Sequence, residues 1–315
     1  MDEGKGKIFR FFTDPTAGLS IMFSELVTTC EEIVKGQSLR EIRRELENER
    51  REWGIPRPIF TSTLRIGLYR ITPMVDAYML TRCRPESAIV RDIDDKLLFD
   101  DAPYTKRQYR VESADSLGFC NIERGVGIVW CARLVGNRSG AIYGFGVSRS
   151  RYEASERCVK RALRYLGLDL LREFNFEMDA FSGHKKALIG VGVSSQNIKV
   201  IPKRHAVRSE LNPIEGVNSV VNRLYIGKHT YNAEASVYAG MVLAVADLTF
   251  WRTRTLNDGR LETTIADLLK IKNKPRSWRD LLLESYWNVL GTPSLFKLYG
   301  RFKKRRANKK PKHPV

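Results

Sequence analysis

The stretch that most constrains this chain runs from 126 to 166. An apolar run at 126–135, containing Ile128, Val129, Trp130 and Cys131, meets the turn-rich Gly136-Asn137-Arg138-Ser139-Gly140. A second short run at 141–147 leads through Ser148 and Ser150 into a patterned helix. Two apolar runs joined by a tight turn read as a hairpin, and the switch to helical periodicity reads as a helix laid after it. On a helical wheel Tyr152, Cys158, Val159, Ala162, Leu163, Tyr165 and Leu166 share an arc with Ala154, while Arg157, Lys160, Arg161 and Arg164 fall together on the other side. Arg149 and Arg151 add charge at the helix start, where free backbone N–H groups already favour anions. One face is expected to pack on the hairpin and the other to offer cations to phosphate. The plainer alternative is a solvated charged face, the ordinary fate of cations on a helix.

The charge of the whole chain favours the phosphate reading. Lys and Arg number 54 against 36 Asp and Glu, a formal net charge of +18, and a field of that sign attracts polyanions. Eight of those cations lie in 301–315, which has no acid, so more than half of the excess belongs to the rest of the chain. Lys303, Lys304, Arg305, Arg306, Lys309 and Lys310 form the densest part of this tail and join the helix cations as candidate contacts. Such a run repels itself and is expected to be disordered when free. It reads equally as a nucleic-acid tail and as a nuclear-import signal.

Several classes find no support. No signal-peptide pattern or membrane-spanning run is legible, and the longest apolar stretch, 235–251, is broken by Asp247, so an intracellular protein, cytoplasmic or nuclear, is expected. Cys30, Cys83, Cys120, Cys131 and Cys158 include no Cys-x-x-Cys pair and read as reduced thiols. The Gly-x-Gly pairs at 125/127, 144/146 and 190/192 lack the third glycine of a dinucleotide fingerprint; strand glycines are the better reading, and no cofactor is expected. His184, His205, His229 and His313 fit no zinc or nucleophile motif, which points away from catalysis. Asp92, Asp94 and Asp95, followed by Asp100 and Asp101, form the only dense acidic cluster. Converging carboxylates suit Mg²⁺ in a nuclease- or polymerase-like site, but a turn or surface cluster is the expectation here.

In chain order, 1–56 reads as a helical N-terminal region, with one helix between Thr16 and Gly36 and a second opened by the Ser38/Glu41 capping pattern. The second carries mixed charges and reads as a surface helix, with a partner helix as the alternative. Residues 57–205 read as an α+β core. The even spacing of Phe60, Leu64, Ile66 and Leu68 predicts a strand over 60–71, and 187–201 predicts two more. Residues 141–150 and 187–196 share Ala, two Gly, Val and Ser in register, which is either a duplicated strand edge or chance. Residues 206–300 read as a mixed, α-rich region with a buried Ala-rich helix over 230–250, whose second half also admits a strand reading, a hairpin turn at Asn257-Asp258-Gly259 and a last helix capped by Ser277. The fold class is α+β: a helical N-terminal segment, a central antiparallel sheet with a packed basic amphipathic helix, an α-rich C-terminal region and the tail 301–315.

Two resemblances attach to the central module. With Ser150 set at the serine that opens the last helix of double-stranded RNA-binding domains, Ala154, Cys158, Val159, Ala162, Leu163 and Leu166 fall on that family's small and apolar positions. The family's Lys-Lys-x-Ala-Lys start is replaced here by Arg151-Tyr152-Glu153-Ala154-Ser155, which keeps one cation and the alanine. The resemblance implies recognition of A-form shape, with Arg149, Arg151, Arg157 and Lys160 on phosphates. Glu153-Ala154 and Lys160-Arg161-Ala162-Leu163-Arg164, followed by Gly167, are also similar to the core helix of single-strand-annealing recombination proteins, which implies a ring-forming protein with a basic groove.

The function expected from the sequence is therefore non-enzymatic nucleic-acid binding, RNA ahead of DNA, through the helix face and the tail. A viral-type assembly protein that packages or transports nucleic acid, and a single-strand DNA annealing protein, are the alternatives; both imply self-association.

Overall fold

The computed structural model describes residues 19–55, 57–104, 129–201, 234–255 and 262–290, with Thr16, Ile214, Val217 and Val221. The N-terminal region is helical. Helix α1, Phe23–Val34, buries Leu26, Val27, Cys30, Ile33 and Val34, and is opened by Met22, whose N–H donates to Glu25 Oε2 at 2.7 Å. Helix α2, Leu39–Glu52, begins with the reciprocal bonds predicted for Ser38 and Glu41, at 3.2 and 2.7 Å. Its buried Arg50 reaches Glu25 Oε2 at 2.6 Å and the carbonyls of Ser20 and Arg57, which ties the two helices together.

The strand predicted over 60–71 is a helix, α3, Thr61–Arg82. Leu64, Leu68, Ile71, Val75, Tyr78 and Met79 are all buried at three- and four-residue spacing, while Phe60 and Ile66, which made the pattern look even, are 58% and 43% exposed. A short α4, Ser87–Ile93, leads to the sheet.

Strands β1 (Lys96–Tyr104), β2 (Val129–Gly136) and β3 (Ile142–Ser148) pair antiparallel in sequence order. The predicted basic helix follows as α5, Arg151–Leu166, then α6, Leu168–Glu173, and β4, Asn175–Met178. Strand β4 pairs parallel to β1, and after α7 (Ser182–Gly190) β5 (Ile198–Val200) pairs parallel to β4. The sheet order is β3-β2-β1-β4-β5, so the sheet is mixed rather than antiparallel. The physical reason is the connections: a tight turn returns the chain antiparallel, whereas a crossover through helices brings it back parallel. Of the two strands expected in 187–201, only β5 forms, and Ala187 and Leu188 are buried helical residues. The echo between 141–150 and 187–196 therefore joins a strand to a helix end and is no duplication.

Glycines 144 and 146 decide how closely α5 approaches. A Cβ on Gly146 would stand 2.0 Å from Ala154 O and 2.4 Å from Cys158 N, and one on Gly144 would stand 2.6 Å from Cys158 O. The hairpin turn is organised by Asp94, expected in a turn or surface cluster; it serves the turn but is fully buried. Its carboxylate accepts from the N–H groups of Arg138 and Ser139 at 2.9 and 2.8 Å, and from the Ser139 and Tyr143 hydroxyls at 2.6 Å each. Asp94 is thus a structural acceptor. Asp95 bonds Asn137 and Arg138 in the same turn.

The Ala-rich helix is α8, Glu234–Phe250, buried from Val237 and again from Ala239 to Phe250, as predicted. Strands β6 (Thr253–Thr255) and β7 (Glu262–Thr264) pair as the expected hairpin, whose turn lies outside the described residues. Helix α9, Ile265–Leu268, and α10, Trp278–Leu290, are the last described elements; the Asp280 N–H donates to Ser277 Oγ at 3.1 Å. Helices α8 and α10 both pack on α3. Tyr238 of α8 donates to Asp76 Oδ2 of α3 at 2.7 Å and lies 5.8 Å from the Phe145 ring of β3. Cys30, Cys83, Cys131 and Cys158 are free and buried, and Cys120 lies outside the described residues. No described helix is long and apolar enough to cross a membrane.

Candidate metal centre and nucleic-acid interface

Strand β1 is where the chain reverses its order across the sheet: β2 and β3 extend to one side, β4 and β5 to the other. In open sheets ligands sit beyond the carboxyl ends of parallel strands at such a reversal. Two carboxylates emerge there. Register places Phe99 of β1 opposite Met178, the last residue of β4, so Asp101, still within β1, lies beside Asp179, which directly follows β4.

Side chains from α5 and α7 close over them. Arg151, the first residue of α5, donates from Nε to Asp101 Oδ2 at 2.6 Å and from Nη2 to Asp179 Oδ2 at 3.0 Å. Its guanidinium lies 3.8 Å from the Phe181 ring centre and 5.0 Å from that of Trp130. His184 of α7 is completely buried and stacked on Phe99 at 4.1 Å. Its Nε2 stands 3.3 Å from Asp101 Oδ2 and 3.4 Å from Asp179 Oδ1.

Ser155 Oγ, which meets the Arg151 carbonyl at 3.0 Å, also meets His184 Nδ1 at 2.9 Å and fixes the orientation of the ring. Burial lowers the imidazole to about 4, with Asp179 opposing and Arg151 adding to the shift. The ring is therefore neutral at neutral pH, and Nε2, buried and without a hydrogen-bond partner, faces two carboxylates. The cation that the two carboxylates face is the Arg151 guanidinium, bonded to both. Among the described residues no group of three such side chains is arranged to hold a metal ion as it stands; the Arg151 guanidinium lies across the carboxylates instead. Burial also raises the Asp101 carboxyl, against the lowering effect of Arg151. Asp100 alternates to the opposite face, across from Arg133, and burial lifts it to about 6.

The depressed His184 has a stability consequence with a definite sign. Its neutral form is the native one, so its contribution is fully present above the unfolded value of 6.5 and is lost as pH falls through about 4. Metal-free wild type should lose about 3 kcal/mol relative to His184→Gln between those limits, by urea unfolding at each pH. Asp100 acts oppositely, its raised value favouring the fold as pH falls, but it is common to both proteins and cancels in the comparison.

The cations predicted on α5 divide into three groups. Arg151 belongs to the acidic centre. Arg161 is buried rather than surface-facing, paired with Asp76 and set 4.3 Å from the Phe145 ring centre, because the helix turns this residue toward α3 and α8. A guanidinium so enclosed is a core element and not a phosphate contact. Arg149, Arg157, Lys160 and Arg164 are exposed. Arg157 pairs with Glu153 at 2.6 Å and Glu234 at 3.3 Å, and Lys160 with Glu156 at 3.3 Å, so part of this face is neutralised internally. Lys303, Lys304, Arg305, Arg306, Lys309 and Lys310 lie outside the described residues.

Tyr143 and Phe145 are buried, 0% and 2% exposed, so the strands beside α5 offer no base-stacking surface through them. Sequence reasoning noted Asp101 but joined it to Asp92, Asp94 and Asp95, its neighbours in sequence; His184 was named only as fitting no motif, and Asp179 was missed. No protein-family model matches this chain, and no curated protein matches it significantly in sequence.

Proposed function

We propose that this protein binds nucleic acid and acts on its phosphodiester backbone with a divalent metal ion held by Asp101, Asp179 and His184. The observation that carries this reading is the meeting of the buried His184 Nε2 with two carboxylates beside the reversal point of the sheet. A divalent ion at these donors would supply Lewis-acid activation of a phosphoryl group. The chain's own groups would do the rest: Asp101 and Asp179 set the ligand positions, Ser155 orients the His184 ring, and the exposed cations of α5 retain the polyanion. The +18 charge selects nucleic acid among phosphate esters.

A purely binding protein, the expectation from sequence, is the second reading; the exposed cations Arg149, Arg157, Lys160 and Arg164 favour it equally. The test is incubation of the full chain with end-labelled single- and double-stranded DNA and RNA, with Mn²⁺ or Mg²⁺ and with EDTA. Metal-dependent cleavage or strand joining supports the proposal, and retention of substrate with intact strands in every arm leaves the binding reading.

The tail enters through charge alone. Deleting 301–315 removes eight cations and should weaken binding while flattening the slope of log affinity against log salt, through counterion release. An unchanged slope in filter binding at several salt concentrations would exclude the tail as a contact.

A further inference from the structure

We propose that the cleft between the end of α3 and α10 takes an unpaired nucleotide of a single-stranded nucleic acid, its base stacked on Trp287 and its phosphate held by Arg82 and Arg276. The proposal rests on the nucleic-acid-binding part of the reading above and is independent of the Asp101/Asp179/His184 centre.

Helix α10 carries Asp280, Glu284, Trp287 and Asn288 at helical spacing, so all four share one face. Opposite them stand Tyr78 and Arg82 of α3 and the segment from Asn273 to Arg276, around a cleft of about 580 Å³. Side-chain amides pin its walls. Asn288 accepts Nε of Arg82 on Oδ1 at 3.0 Å and donates to Thr81 Oγ1 at 3.1 Å. Asn273, at a φ of 58° that asparagine tolerates, accepts the Tyr78 hydroxyl on its carbonyl at 3.0 Å and donates from Nδ2 to the Arg82 carbonyl at 3.1 Å. A cleft held by such bonds exists before a ligand arrives.

Its groups match the parts of a nucleotide. Trp287 is 62% exposed, and a large indole left in water on a fixed wall offers a stacking face that accepts any base. Arg82 commits Nε to Asn288, which aims the guanidinium and leaves its two Nη groups for a phosphate. Arg276 is exposed, and among the described residues it makes no ion pair, whereas Lys274 is taken by Asp267 at 2.7 and 2.9 Å. Glu284 and Asp280 repel a bare phosphate backbone, but a base edge presents amino hydrogens that a carboxylate accepts. Indole, cations and acids together therefore favour an unstacked nucleotide over a duplex, whose bases are already paired. Helix α5 ends against the same place: Tyr165 donates to the carbonyl of Cys83, the residue after Arg82, at 2.9 Å, with exposed Lys160 and Arg164 just before it. A strand held by the α5 cations thus runs on toward the cleft.

The experiment is fluorescence anisotropy of the full chain in EDTA with three labelled probes: a short single-stranded DNA, an abasic strand of the same length, and the DNA as duplex. Trp287→Ala should bind the intact single strand about tenfold more weakly, the size of one lost stack, and the abasic strand and duplex as wild type does. Trp287→Phe, which keeps a ring, should retain most of the affinity. Arg276→Gln should flatten the slope of log affinity against log salt on the single strand by about 0.7, one phosphate contact, while Trp287→Ala leaves that slope unchanged. Trp287 faces solvent, so its removal should leave the urea midpoint where it is in wild type. Equal affinity of wild type and Trp287→Ala for the intact strand overturns the cleft and leaves nucleic-acid binding standing. Equal losses on single strand, abasic strand and duplex overturn it too, since two of the three offer no base to stack. Failure of wild type to bind any probe overturns both readings.

Discussion

Asp101→Asn should reduce metal-dependent strand cleavage about a thousandfold, roughly 4 kcal/mol of transition-state stabilisation, with duplex affinity little changed. The amide keeps the size of the carboxylate but offers one neutral oxygen in place of two charged ones. It also leaves Arg151 with Asp179 alone, so the fold is retained through a weaker ion pair at a half-open position. Asp179→Asn should act in the same direction. The measurement is single-turnover cleavage of a labelled duplex in Mn²⁺, beside gel-shift affinity in EDTA. Wild-type rates in both variants would place any catalysis elsewhere in the chain. Equal losses of affinity and rate would instead mean that these carboxylates support the fold.

Gly146→Val should be the most damaging single change in the described fold, costing about 4 kcal/mol or more and leaving little native protein. Even the first added carbon would stand 2.0 Å from Ala154 O and 2.4 Å from Cys158 N, both helix backbone. Backbone cannot rotate away as a side chain can, so α5 would have to lift off β3. Lifting α5 would also withdraw Arg151 and Ser155 from the acidic centre. Gly190→Ala is the matched control, because nothing lies within 4 Å of a Cβ there and the residue ends α7. Its effect should be neutral or a gain of about 0.5–1 kcal/mol from helix propensity. Urea midpoints of the two variants against wild type decide the matter. A Gly146→Val protein within 1 kcal/mol of wild type, roughly the effect of an ordinary substitution, would show that α5 does not sit at this distance.

Local patterns predicted local structure well where one interaction dominates. The turn at Gly136–Gly140, the helix from Arg151, the Ser38/Glu41 and Ser277 caps and the Ala-rich helix all depend on residues within a few positions of one another. Where two periodicities overlapped, the reading failed. Phe60, Leu64, Ile66 and Leu68 satisfied a strand, and only the partners that bury Leu64, Leu68 and Ile71 select the helix. The parallel pairing of β4 on β1 was equally hidden, since nothing in Asn175–Met178 says which edge of the sheet receives it.

The candidate centre shows the same division. By itself the sequence determined a basic α+β protein with a hairpin and an amphipathic helix, because composition and hydrophobic period are properties of neighbouring residues. It also placed cations on α5 but could not say which of them face solvent. Arg161 turned inward to Asp76 and Arg151 turned to two acids because their partners are supplied by α3, β1 and β4, far away along the chain. Only the tertiary structure decided that Asp101, Asp179 and His184 converge, since their meeting depends on strand order and on a helix crossing the sheet, which spacing along a single chain does not encode.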